Sequence, residues 1–127
     1  MFPETKEWFD QADYDVETAQ VMFDSGRYIY TIFMVHQAIE KALKARIVED
    51  TRGTPPRIHN LVSLLNQSSA HLTDDYVRFI SRLSMAGVST RYPEELSRAL
   101  EQYPESVTRG YLETARGVIA CLKQQIE

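Results

Sequence analysis

Arg52 and His59 stand seven positions apart in the stretch Arg52-Gly53-Thr54-Pro55-Pro56-Arg57-Ile58-His59. A neutral imidazole can take the proton of a ribose 2′-hydroxyl, and a guanidinium can steady the charge that builds on a phosphorane. Further along, Arg91-Tyr92 precedes Pro93. That arginine is a planar fork of donors suited to phosphate, and the tyrosine ring can stack a base. A third group, Gln37, Lys41 and Lys44, falls at i, i+4 and i+7 and so shares one helix face. Each group also has a plainer reading. His59 can cap the start of a short helix. Arg91 can pair with Glu94 or Glu95 while Tyr92 packs inward. Glu40 is placed to pair with Lys44 across one turn, which would leave surface ion pairs worth about 0–1 kcal/mol each. If Arg91 and the Arg57 loop fold towards the Gln37/Lys41/Lys44 stripe, the three groups form one basic groove.

The remaining reactive side chains suggest less. His36 lies in an apolar stretch and reads as a core or interface residue, and His71 lies in a polar loop. The three histidines and the lone Cys121 show no metal-ligand spacing, so neither a metal nor a cofactor is expected. Cys121 cannot form an internal disulfide and reads as a small core residue; a reducing cytoplasm fits that usage. No apolar run is long enough to span a bilayer, and the start, MFPETKEWF, carries no signal-peptide pattern.

Formal net charge is -4, which argues against strong non-specific binding to nucleic acid. The charge is segregated, however. Residues 1–25 hold seven acids and one base, whereas residues 41–91 hold eight bases and four acids. A local basic surface on an acidic protein is one outcome; ordinary solvated helix faces are the other.

Glycine and proline punctuate the elements that must position these residues. A first helix runs from Pro3 to Gly26, with Trp8, Ala12, Val16, Ala19, Met22 and Phe23 at helical spacing. A second runs from Tyr28 to Glu49 and is ended by Gly53-Thr54-Pro55-Pro56. Its uncharged first part, Tyr28 to Val35, predicts burial on more than one side with Phe33 in the core, and Ala38, Ala42 and Ala45 allow another backbone close. A short third helix covers Asn60–Gln67. A fourth starts after Thr73 and ends near Gly87. Residues 89–93 read as an ordered loop, 94–102 as a possible helical turn, and the last helix runs from Pro104 to Gln124 with Val107, Tyr111, Leu112, Ala115, Ile119 and Leu122 inward. The 127 residues thus predict a single all-α domain, an antiparallel up-and-down bundle of about five helices.

Trp8 with Ala12, HQAIEKALKA over residues 36–45, His59-Asn60-Leu61, and Thr90-Arg91-Tyr92-Pro93 together resemble the HEPN domain family, in the prokaryotic single-domain branch. The resemblance implies an all-α bundle, a homodimer, a minimal nucleotidyltransferase encoded nearby as partner, and a role similar to toxin–antitoxin systems. In the catalytic branches it implies a metal-independent ribonuclease whose signature is Arg, four to six residues, then His. Arg52 and His59 meet that spacing. The two prolines between them and the lack of any His after Arg91 depart from the catalytic pattern. Three functions follow as expectations: a nucleotide- or RNA-binding module using Arg91, Tyr92, Lys44, Arg57, Lys41 and Gln37; a ribonuclease toxin using Arg52 and His59; or a scaffold without nucleotide affinity.

Overall fold

Proline has no N–H to leave unsatisfied, which suits it to the first turn of a helix. In the computed structural model, which describes residues 1–89 and 93–126, Pro3 opens α1 (Pro3–Asp24). Gly26 closes it at φ 74. The Arg27 N–H reaches back to the Met22 carbonyl at 2.8 Å, and the Gly26 N–H to that of Phe23 at 3.0 Å. Glycine takes this left-handed turn without strain. α2 (Tyr28–Thr51) follows at once. It ends on Arg52, a non-glycine residue at φ 57.

Asn60 caps α3 (Leu61–Gln67), its side chain accepting from the Ser63 N–H at 3.0 Å. Thr73 does the same for α4 (Asp74–Ser89), accepting from the Tyr76 N–H at 3.3 Å. The stretch read as a helical turn is a full helix, α5 (Pro93–Gln102), so the described residues hold six helices where about five were predicted. Pro93 at its first position and Glu94 and Glu95 in its first turn favour that helix. α6 (Glu105–Gln124) completes the chain. No strand occurs among the described residues. Among the described residues no helix is long and apolar enough to cross a membrane.

Small side chains set the packing. Ala12 and Ala19 of α1 and Ala38, Ala42 and Ala45 of α2 are all fully buried. They let α1 and α2 pair along most of their length. α6 lies against both, while α3 and α4 cover another side of α2. Ile32, Val35, Ile39 and Leu43 therefore sit at the centre with Phe9, Leu64, Phe79, Val118 and Leu122. Gly117, mid-way along α6, lies where a Cβ would collide with the Tyr76 hydroxyl.

Several inward assignments made from the sequence need correction, Tyr111 among them, which is half-buried. On α1 it is Phe9 that is buried, while Trp8, Met22 and Phe23 are half-buried. One residue is about 100° around a helix, so Trp8 is carried to the rim. Phe33 is half-buried because Ile32 and Val35 take the central positions, and Val107 is exposed.

Glu49, near the end of α2, ties down the start of α1: its Oε1 accepts from the Phe2 N–H at 3.0 Å. That bond, chiefly, holds the Glu49 carboxyl below its ordinary value of 4.5. A depressed carboxyl stabilises the fold above its unfolded value and ceases to as pH falls through the folded one. Glu49→Gln is therefore expected to lower the melting temperature at pH 7, with the gap to wild type narrowing below pH 4.5; thermal melts across pH check this. Replacing fully buried Phe79 with Ala is expected to cost about 3–5 kcal/mol in urea denaturation. Phe33→Ala should cost clearly less, because that side chain is only partly buried.

Candidate nucleotide site

Glu40 lies on the central helix, where a carboxylate must find partners to be tolerated. It has two. Oε2 accepts from Lys44 Nζ at 3.1 Å, one turn on, and lies 3.0 Å from His59 Nδ1. The Glu40 and Lys44 side chains are 14% and 9% exposed, but that of His59 is 68% exposed. With the ring neutral, Nδ1 carries the proton and donates to Glu40, which leaves Nε2 as an open acceptor. Asn60 as helix cap and buried Leu61 fix the chain just beyond His59. The imidazole is thus held from below and presented outward.

Lys44 continues the path. Its Nζ stands 5.9 Å from the centroid of the Trp8 ring. Trp8 in turn lines a surface cleft of about 440 Å³, together with Phe2, Glu4, Val48, Arg52 and Pro55. Arg52 lays its guanidinium 4.4 Å from the centroid of the Phe2 ring. Such an arrangement is attractive through the ring quadrupole.

The stripe residues are placed differently from one another. Lys41 Nζ lies 2.8 Å from Oδ2 of Asp15, a buried acid on α1. The same oxygen has no hydrogen-bond partner, so the ammonium sits off the hydrogen-bonding axis and the contact is Coulombic. Lys44 is buried on Glu40, and Gln37 is half-buried. Both lysines therefore already have a carboxylate. Arg57 is exposed and has no ion-pair partner among the described residues. Arg52 and His59 engage different partners, Phe2 and Glu40. Glu40 and Arg52 are roughly 18 Å apart along α2 at a rise of about 1.5 Å per residue. Arg91 and Tyr92 lie outside the described residues. Among the described residues, no group of three or more His, Cys, Asp or Glu side chains is arranged to hold a metal ion.

Two features escaped the sequence reading. Asp15 shares a face with Ala12 and Ala19, and a charge on an otherwise small-residue face signals a buried partner. Trp8 shows no sign in sequence that it borders a cleft rather than the core.

The model of the HEPN domain matches residues 5–125. This chain belongs to the HEPN domain family. Its fold is similar to that of TT1696 from Thermus thermophilus, at a TM-score of 0.82 and 24% identity over 97% of this chain and 98% of that one. It is also similar to ST0689, an archaeal HEPN homologue, at a TM-score of 0.79 and 22% identity over 99% of this chain and 100% of that one. No curated protein matches. The all-helical HEPN bundle is thus shared, and within it the Glu40 carboxylate is what joins α2 to the connection before α3.

Removing one partner of a buried ion pair strands the other charge. Glu40→Ala is accordingly expected to cost about 3 kcal/mol in urea denaturation, and Lys44→Met introduced with Glu40→Leu to recover most of it. A loss below about 1 kcal/mol would place the pair in solvent.

Proposed function

We propose that this HEPN module binds nucleotide or RNA and acts with a minimal nucleotidyltransferase, in the manner of a toxin–antitoxin pair. The observation that carries the reading is the outward-facing His59 imidazole, fixed by Glu40, on the same connection as Arg57, which is exposed and has no ion-pair partner among the described residues. Together they offer a fork of donors for phosphate and a ring nitrogen beside it. Arg91 and Tyr92 complete this reading from the sequence side, as a second phosphate fork and a stacking ring. Lys41, Lys44 and Gln37 act from beneath: with both lysines paired, their part is to hold the α2 face rather than to bind phosphate directly. The partner and the homodimer rest on family membership. Exposed apolar side chains on α4, α5 and α6, namely Val77, Met85, Leu100 and Val107, supply area for a second copy.

A ribonuclease is the second reading, favoured by one feature. A carboxylate on Nδ1 with Nε2 open is the arrangement that makes a histidine a general base. Arg52, turned onto Phe2, would have to leave that ring to serve it.

Calorimetric titration of nucleotides and short single-stranded RNA is expected to show binding that weakens with added salt. Arg57→Ala and Arg91→Ala should each weaken it in protein that still melts as wild type. Absence of wild-type binding would leave the scaffold function. Co-expression with the nucleotidyltransferase of a neighbouring gene should co-purify the two. Growth arrest on expression, lost in His59→Ala, would move the assignment to the ribonuclease. Light scattering should give twice the chain mass of 14.7 kDa.

A further inference from the structure

The cleft at the start of α1 is separate in chemistry from the His59 end of the path, and its composition is specific. Phe2, Trp8, Val48 and Pro55 give it apolar walls. Its formal charges are one of each sign, Arg52 and Glu4, so it offers no net attraction to phosphate. What suits apolar walls, an aromatic ring and a guanidinium plane is a flat ring with polar edges.

Arg52 supports this from its backbone. It occupies the left-handed region at φ 57, immediately before Gly53. A glycine at 52 would end α2 there without that strain. Strain retained at a non-glycine residue is a pointer to use of its side chain. Here the side chain is spread over Phe2 and forms part of the cleft wall.

We propose that this cleft receives the base of the nucleotide whose phosphate is held by Arg57, two residues on from Pro55 of the cleft wall, with Trp8 as the recognition residue. This rests on the nucleotide-binding reading above and adds to it where the base goes. Trp8 is placed for the task because it connects the two ends: its ring stands beside Lys44, which shares the Glu40 carboxylate with His59. The Glu4 carboxylate accepts hydrogen bonds only, so it favours a base bearing an exocyclic amino group over one whose edge has no donor in its place.

The chain contains one tryptophan, so fluorescence excited at the long-wavelength edge, where its seven tyrosines do not absorb, reports on Trp8 alone. Adenosine 5′-monophosphate is expected to change that emission saturably, and ribose 5-phosphate at the same concentrations to leave it unchanged. Trp8→Leu should weaken adenosine monophosphate binding by roughly 5- to 100-fold in calorimetry. In case that variant folds poorly, Arg52→Gly provides a second route. It removes the guanidinium while easing the backbone, so it should hold or raise the melting temperature and still weaken binding. Purine riboside 5′-monophosphate, which lacks the amino group of adenine and puts no other donor in its place, should bind several-fold more weakly, and Glu4→Ala should erase the difference. Calorimetric binding of adenosine monophosphate with unchanged Trp8 emission, and unchanged affinity in Arg52→Gly, would overturn the cleft while leaving nucleotide binding intact. Equal binding of the two purines by wild type would remove Glu4 from the site. No calorimetric binding of any nucleotide would overturn both the cleft and the reading it rests on.

Discussion

A helix enclosed on most of its circumference cannot carry a charge without giving it a partner, and α2 is such a helix. α1, α6, α3 and α4 all pack on it. Ile32, Val35, Ala38, Ile39, Ala42, Leu43 and Ala45 are all fully buried. Lys41, Lys44 and Glu40 interrupt this run. Each unpaired buried charge would cost several kcal/mol, so the neighbouring elements must supply counter-charges at fixed places. Asp15 on α1 answers Lys41, and Glu40 answers both Lys44 and the connection before α3 through His59. The polar pairs thereby set the register of α1 on α2 and pin a loop that contains two prolines and no helix of its own. A similar device ties the next connection: the Asp50 carboxylate accepts from the Ser69 N–H at 2.8 Å and its hydroxyl at 2.7 Å, with Arg46 bonded to that hydroxyl at 2.7 Å.

The periodicity of small and apolar residues made the bundle legible, because alanines at close-packing positions and Gly or Pro at the ends act locally. α1, α2, α3 and α6 all stand within a residue or two of where the sequence put them. α5 was read too weakly because its ten residues carry few apolar side chains and its signal is the proline and two acids at its start. Trp8, Phe33 and Val107 were placed too deep. Hydrophobicity says that a side chain prefers burial, but which of two adjacent apolar residues takes the centre depends on which neighbours surround the helix there. Glu40 bonding to His59 was likewise out of reach, since nineteen residues and a loop separate them. Glu40 with Lys44 was readable because four residues on a helix fix the geometry.

The segregation of charge along the chain looked like the mark of a basic surface. Much of it is cohesion instead. Acids of α1 face bases of the helices packed against it: Asp15 meets Lys41 and Asp13 meets Lys123 at 2.6 Å, while the neutral Gln20 accepts from Arg116 at 2.8 Å. Arg46 is likewise taken up by Asp50, Arg78 by Asp75 and Lys44 by Glu40. Subtracting these pairs from residues 41–91 leaves Arg52, Arg57 and Arg82 without a carboxylate among the described residues, and the first two share the connection after α2.

That remainder matters for how an acidic chain can still meet an anion. Long-range attraction follows net charge and is screened over about 10 Å at 0.1 M salt, so a protein of net charge -4 gains little from steering. Recognition must then come from contact: donors left unpaired at one place, and apolar surface beside them for the uncharged part of the ligand. The connection between α2 and α3 combines both within one short stretch of chain. Among the described residues Arg57 has no carboxylate partner: Glu40 is engaged with Lys44 and His59, Glu49 with the Phe2 N–H, and Asp50 with Ser69 and Arg46, while Arg52 lies on the Phe2 ring. The pairing that makes the buried face of α2 tolerable is therefore also what keeps Glu40, Glu49 and Asp50 from pairing with Arg57, and the same interactions that hold the bundle together leave that guanidinium exposed on the connection.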